Sequence, residues 1–261
     1  MHWRAPALLL LLALLVAVGY TLTPRGGVER LVIYADRTLQ APLEELASGY
    51  IEYMRREGVN VNITFVLGSS GYVLSQLKLH GFGDLYVSDD RHFALIGVRE
   101  GILDNESYKE IGYIRLALLV EKGNPLGVKS LRDALDRGLV IAVGNPEHVS
   151  AGVLADRVFR EAGLSSLVQR LIREGKIVYV DSAAQAASRV LMGTADAAIT
   201  FNIYTRLYPD GLEEVHDPLL ASVRAPVVVA VPASHGEYSW SLYSYVLEHV
   251  DVFYKYGVEP P

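Results

Sequence analysis

From Leu31 onward the chain alternates: short apolar runs of strand length are each followed by a stretch of helical periodicity. Residues 31–35 read as a buried strand. Residues 39–54 follow as a helix, with Leu43, Leu46, Ala47, Tyr50 and Met54 on one face. Residues 59–67 alternate strictly (Val59, Val61, Ile63, Phe65, Leu67), as a half-buried strand does. The spacing then predicts a helix over 71–79, a strand over 84–87, a short helix over 92–100 and an apolar strand over 114–120. Further on it predicts a helix over 131–136, a strand over 139–143 and a helix over 151–162. Strands over 177–180 and 195–201 flank a helix over 183–192, another strand covers 226–231, and one helical segment, 238–256, closes the chain. Few architectures accept such alternation, because parallel neighbours need a long crossover and a helix supplies it. The expectation is an α/β fold of mostly parallel sheets flanked by helices. In such sheets a ligand sits beyond the carboxyl ends of the strands, where the following helices begin.

The first 27 residues stand apart from this pattern. Arg4 and the α-amine make a positive end, and residues 7–18 are an unbroken apolar run of twelve. That length suits the core of a signal peptide, since a membrane span needs about 20 residues. Counted loosely from 5 to 22 the segment approaches spanning length, so a cleaved signal and an uncleaved anchor both stand. Residues 23–27 read as a linker. The expected location is extracytoplasmic, in a periplasm or at a cell surface. The chain has no cysteine, which excludes disulfides, thiolate catalysis and a lipid anchor on a cysteine after the signal. Its formal net charge is −6, with no basic block, so nucleic acid is not an expected partner.

Small and hydroxyl residues gather where four strands hand over to helices: Ala35-Asp36-Arg37-Thr38-Leu39, Leu67-Gly68-Ser69-Ser70-Gly71, Asn145 to Gly152, and Val180-Asp181-Ser182-Ala183-Ala184. A helix start offers unpaired backbone N–H groups and the positive end of a dipole, which suits an anion. Any one of these junctions is explained by ordinary N-capping; four of them behind an export segment favour an anion-binding protein. Catalytic signatures are missing from the sequence. Tyr72 stands where a nucleophile elbow needs glycine, there is no phosphate-binding P-loop or dinucleotide fingerprint, and the seven histidines lack the spacing of a helical metal pair. Glu147-His148 reads as loop packing. No enzyme is expected.

The run Val143-Gly144-Asn145-Pro146-Glu147-His148-Val149-Ser150-Ala151-Gly152 closely resembles the "GDPEHVPAG" segment of periplasmic molybdate- and tungstate-binding proteins, the substrate-binding proteins of ABC importers. Gly68-Ser69-Ser70-Gly71 with Gln76-Leu77 resembles that family's Ser-rich loop and the helix after it. Gly83-Asp84-Leu85-Tyr86-Val87-Ser88-Asp89-Asp90 resembles its "ADLFISAD". Leu118 to Val120 with Lys122, Asn124 and Pro125 resembles the strand that enters its second lobe. Order and spacing hold from about residue 31 to 231.

The resemblance implies a two-lobed type II periplasmic-binding-protein fold with the ligand in the interlobe cleft. Residues 28–116 and 225–261 would form lobe I and residues 117–224 lobe II, with the chain crossing near 115–119 and 224–228. It implies that Thr38 and Ser70 stand where the family has hydroxyl donors, and Ala151 and Ala183 where it has backbone N–H donors. The family's tyrosine falls on Phe201, which cannot donate; Tyr204 is the replacement offered. The ligand would be molybdate or tungstate, held through its oxygens by Thr38, Ser70, Ala151, Ala183 and Tyr204 with no direct metal ligand. No cofactor is implied, and the partners are the anion and the membrane subunits of an ABC transporter, the protein itself acting as a monomer. Sulfate or another small oxyanion is the alternative. A fully deprotonated dianion only accepts hydrogen bonds, and none of these groups is a carboxylate, which disfavours phosphate; Asp36 and Asp181 are read as caps and Arg37 as a surface residue. Ser150 stands where some archaeal relatives carry a metal-binding carboxylate, which favours simple tetrahedral binding. The aromatic-rich C-terminal segment is read as packing back on lobe I.

Overall fold

A computed structural model describes residues 27–261; the expected signal or anchor lies outside the described residues. Strand β1 (Val28–Asp36) pairs in parallel with β2 (Asn60–Gly68) on one side and with β3 (Leu85–Ser88) on the other. A second parallel set forms where β5 (Ile141–Gly144) lies between β6 (Ile177–Val180) and β7 (Ala197–Phe201). Two strands join the sets. The long β4 (Lys109–Glu121) pairs with β9 (Arg224–Ala230) through Lys109 to Arg115, then with β7 and β8 (Leu212–Val215) through Leu116 to Glu121. β9 also lies against β3. Every antiparallel pair involves β4 or β9, so the parallel cores are those expected from the strand–helix alternation and the antiparallel pairs belong to the strands that cross between them.

Apolar residues of helix α1 (Gln40–Arg56), including Leu43, Leu46, Tyr50 and Met54, are buried on the face the periodicity marks. Helices α2 (Ser70–His80), α3 (Arg91–Arg99), α4 (Leu131–Asp136), α5 (Ser150–Glu161) and α7 (Ala183–Leu191) fall within two residues of the expected bounds. Four short elements go beyond the periodicity: α6 (Ser165–Arg173), α8 (Ile203–Leu207), β8 and α9 (Pro218–Ala221). The expected closing helix is two, α10 (Ser239–Glu248) and α11 (Asp251–Lys255). The break falls at His249, whose φ of −114° and ψ of 34° leave the helix. Its ring nitrogen Nδ1 lies 2.9 Å from the Tyr245 carbonyl, and its own carbonyl accepts from Val252 N–H to start the next turn. The aromatic segment packs back on α1, with Tyr245 edge-on to Tyr50 at a centroid distance of 5.4 Å. Among the described residues no helix is long and apolar enough to cross a membrane.

The crossing is held by charge. The Arg115 guanidinium donates to both carboxylate oxygens of Glu214 on β8 and, at 3.3 Å, to Glu259 near the C-terminus, while Arg224 pairs with the other oxygen of Glu259 at 3.2 Å. The Arg115 backbone N–H donates to Asn202 Oδ1 at 2.9 Å. Arg115 is only 19% exposed, so its loss leaves the half-buried Glu214 carboxylate without its partner, while Glu259 keeps Arg224. Arg115→Met, which keeps the stem, is expected to cost about 1–3 kcal/mol. The melting temperature should then fall by roughly 2–4 °C per kcal/mol, read by differential scanning calorimetry. An unchanged melting point would show that the cluster is solvated and idle.

Candidate functional site

Four strand ends meet. β1 ends at Asp36, which has extended backbone and whose Oδ1 accepts from Thr38 N–H at 3.0 Å, turning the chain into a single 3-10 turn, Arg37–Leu39. β2 ends at Gly68 and Ser69 precedes α2. From the other parallel set, β5 passes through a loop in which Asn145 Oδ1 accepts from Glu147 N–H at 3.0 Å, and α5 then starts at Ser150. β6 leads to Ser182, whose Oγ accepts from Gln185 N–H at 3.1 Å and so caps α7. These junctions line one small cavity: Asp36, Arg37 and Thr38 from the first, Gly68 and Ser69 from the second, Val149 and Ser150 from the third, Ser182, Ala183 and Ala184 from the fourth. The space open to the centre of a water-sized group is about 10 Å³, near the threshold for a single water.

The donors around it follow from capping. The first N–H groups of a helix have no partner within it. At α7 the cap takes Gln185 N–H with Ser182 Oγ and Ala186 N–H with Ser182 O, which leaves the amides of Ala183 and Ala184 without a protein acceptor among the described residues. Both residues line the cavity. Helix α5 likewise begins with Ser150 and Ala151, whose amides precede the first intrahelical acceptor, Val149 O, which serves Val153.

Thr38 and Ala183 therefore line the same cavity. Tyr204 is buried, and its hydroxyl reaches Thr38 Oγ1 at 3.4 Å from the opposite side of the crossing. Burial raises the phenol's pKa, so it keeps its proton at neutral pH. Phe201 is fully buried in β7 and takes no part. Ala151 is buried one residue behind Ser150 and is not on the cavity wall. Ser70 is also behind the wall, and its hydroxyl is already engaged, 2.9 Å from Asp36 Oδ2 and 3.0 Å from Asp89 Oδ1. Arg37 is exposed but borders the cavity, its guanidinium 3.5 Å from Leu67 O.

Two expectations change. Asp36 is a cap, as expected, yet the residue also borders the cavity, so the residues around it do include an acidic one. Asp181 does not cap α7; Ser182 does, and Asp181 Oδ1 lies 3.5 Å from His148 Nε2. Sequence reasoning misses Ser69, Ser150 and Asp89. Ser150 Oγ donates to Asp89 Oδ1 at 3.0 Å, linking α5 to the loop after β3. Asp89 sits inside the 83–90 motif, a signal that points to the segment without marking this side chain as part of the site. Burial pushes the Asp36 carboxyl above its ordinary range, and burial together with the charge of Asp36 pushes Asp89 well above it. Beyond Ser150 the cleft widens into a groove of about 690 Å³ bordered by Asp89, His148, Arg157 and Arg224.

The sequence matches the family described as "Bacterial extracellular solute-binding protein" over residues 31–258. Among curated proteins it is similar to the molybdate-binding protein of Escherichia coli, 24% identical over 139 residues; the match spans 51% of this chain and 52% of that protein, about half the length of the relative. Among solved structures it resembles the periplasmic molybdate-binding protein of Azotobacter vinelandii (TM-score 0.72, 20% identity, 88% of this chain and 99% of that one). It also resembles a sulfate-binding protein of Mycobacterium tuberculosis (TM-score 0.73, 15% identity, 89% and 87%). At these identities the structural likeness shows the fold.

Proposed function

The chain belongs to the bacterial extracellular solute-binding protein family, and from that premise we propose that it captures a tetrahedral oxyanion, molybdate or tungstate, outside the cytoplasm and delivers it to the membrane subunits of an ABC importer. The observation that carries this reading is the convergence of four strand-to-helix junctions on one small cavity. The hydroxyls of Thr38 and Ser69 and the amides of Ser150, Ala183 and Ala184 supply uncharged donors there, the Ser150 hydroxyl being held by Asp89. Removing the hydration of a dianion is expensive, so each oxygen must find a donor. Helix starts provide such donors without a neutralising charge. Thr38, Ser70, Ala151, Ala183 and Tyr204 remain the residues assigned to the site: Thr38 and Ala183 contact the anion, Tyr204 orients Thr38, and Ser70 and Ala151 support the wall from behind. None is a direct metal ligand, and no cofactor or catalytic step is involved.

In this reading residues 28–116 with 225–261, and residues 117–224, are lobes that close about the crossing strands of β4 and β9. Residues 1–27 direct export, as a cleaved signal or a retained anchor, and the protein works as a monomer. The likeness to a sulfate-binding protein supports sulfate as the second reading. Titration calorimetry and thermal melting with molybdate, tungstate, sulfate and phosphate test it. A ligand at a hundred times its Kd should stabilise the protein by about 2.7 kcal/mol through mass action. Molybdate or tungstate is expected to give the largest shift; a shift with sulfate alone selects the second reading, and no shift with any of the four overturns both.

A further inference from the structure

Behind the anion cavity the hydrogen count does not balance. Ser70 Oγ has one proton but lies 2.9 Å from Asp36 Oδ2 and 3.0 Å from Asp89 Oδ1. It can donate to only one of them. Asp36 Oδ1 is satisfied by Thr38 N–H and Asp89 Oδ1 by Ser150 Oγ–H. Asp89 Oδ2 is left buried with no partner, the one such side-chain atom among the described residues. Asp36 is 6% and Asp89 1% exposed. Two ionised carboxylates in that position would repel each other across a single hydroxyl with an acceptor wasted, an arrangement proteins resolve by keeping a proton on the pair.

The surroundings supply no other remedy. The groups that face the pair are Asp90, the Tyr86 phenol beneath Ser70 and the Tyr204 phenol across the crossing, and each adds negative charge or none. On the groove side stand Glu147, His92 and His148, the last 3.5 Å from Asp181. The cations there are engaged elsewhere: Arg91 with Glu110, Arg224 with Glu259, Arg157 with Glu161. Arg37 extends toward Leu67 O. Among the described residues no cation pairs with Asp36 or Asp89.

We infer that the Asp36–Asp89 pair is a proton-holding element of the anion site, so that closure captures one proton together with the oxyanion. The inference rests on the oxyanion reading above. Asp36, Ser70 and Asp89 belong to one lobe, and Ser150, which completes the link, to the other; opening returns the carboxyls to water and to ordinary acidity, where both ionise above about pH 5. Closing removes that water and brings a dianion beside them. Burial is the largest cause raising both groups. A raised carboxyl favours the closed state at low pH, and the advantage is lost as pH rises through the closed-state value. The affinity should therefore weaken as pH rises, by about tenfold per unit over the range in which only the closed form holds the proton.

Calorimetric titration of the full protein with molybdate, between about pH 6 and about pH 8 and in two buffers of different ionisation heat, reads the proton directly. Uptake of about one proton per anion is expected for the wild type. Asp89→Asn keeps the shape and is permanently neutral; it should bind with uptake near zero and a nearly flat pH profile. Its melting curve without ligand checks that it folds, and the wild-type uptake stands as a measurement independent of it. Binding of molybdate by the wild type with no proton uptake and no pH dependence overturns this inference and leaves the oxyanion reading intact. Uptake that persists unchanged in a folded Asp89→Asn also overturns it, and failure of every oxyanion to bind overturns both.

Discussion

Replacing Ala183 by proline is expected to weaken oxyanion binding by roughly tenfold to a hundredfold while leaving the ligand-free protein folded. The substitution removes the amide hydrogen and sets the ring Cδ in its place. Ala183 is the first residue of α7 after the cap, the position where proline is best tolerated because its N–H has no intrahelical partner. The preceding Ser182 has φ −158° and ψ 157°, an extended conformation that a following proline favours. The cap bond from Gln185 N–H to Ser182 Oγ and the next from Ala186 N–H to Ser182 O do not involve the lost hydrogen. What disappears is an amide that borders the cavity without a protein acceptor. A hydrogen bond to a charged group contributes about 1.5–3 kcal/mol, which sets the expected factor. Ala183→Gly keeps the amide and should bind within a few-fold of wild type. Calorimetry on the two variants decides the matter: equal affinities would mean that the start of α7 does not touch the ligand.

The frame of this site is legible in the sequence and its wiring is hidden, for physical reasons. Strand and helix periodicities are local, and so is the chemistry of a cap. The four junctions are therefore visible in the residues themselves, as 35–39, 67–71, 145–152 and 180–184, and all four line the cavity. Which side chain at each junction faces inward is not local. The expected hydroxyl at the wall is that of Ser70, but the wall is Ser69; the hydroxyl one residue on turns inward to Asp36 and Asp89. Asp89 becomes part of the site only because α5, 61 residues later, delivers Ser150 to it. Tyr204 depends on the short turn after β7: Phe201 finishes the strand in the core, and Asn202, held by Arg115 N–H and Gly257 O, starts the helix that carries the phenol to Thr38. β8 and α9 escape the periodicity for one shared cause. They are four residues each and exist through tertiary partners, β8 through pairing with β4 and α9 through Asp217, which accepts from Leu219 N–H and from the distant Leu131 N–H. Four residues carry too little periodicity to announce themselves.

Gly152→Ala should be the most damaging single methyl near the site, lowering stability by about 2–3 kcal/mol and abolishing tight binding with it. A Cβ at Gly152 would stand 2.1 Å from Gly144 O, 2.5 Å from Gly144 C and 2.9 Å from Asn145 C. All three are backbone atoms at the end of β5, so no side-chain rotation relieves the overlap, and overpacking of this kind costs about 1–3 kcal/mol and occasionally more. The better helix propensity of alanine offsets at most about 1 kcal/mol. The remainder must be relieved by moving α5 away from β5. That movement carries Ser150 off the cavity wall and off Asp89, so the third junction opens while the other three stay in place. At roughly 2–4 °C per kcal/mol for a chain of this size, the melting temperature should fall by about 4–12 °C. Calorimetry should show affinity lost by far more than the stability change alone explains, because most of the folded molecules would hold a distorted site. A variant that melts with the wild type would show that β5 and α5 do not pack this closely, and the convergence of the four junctions would lose one of its members.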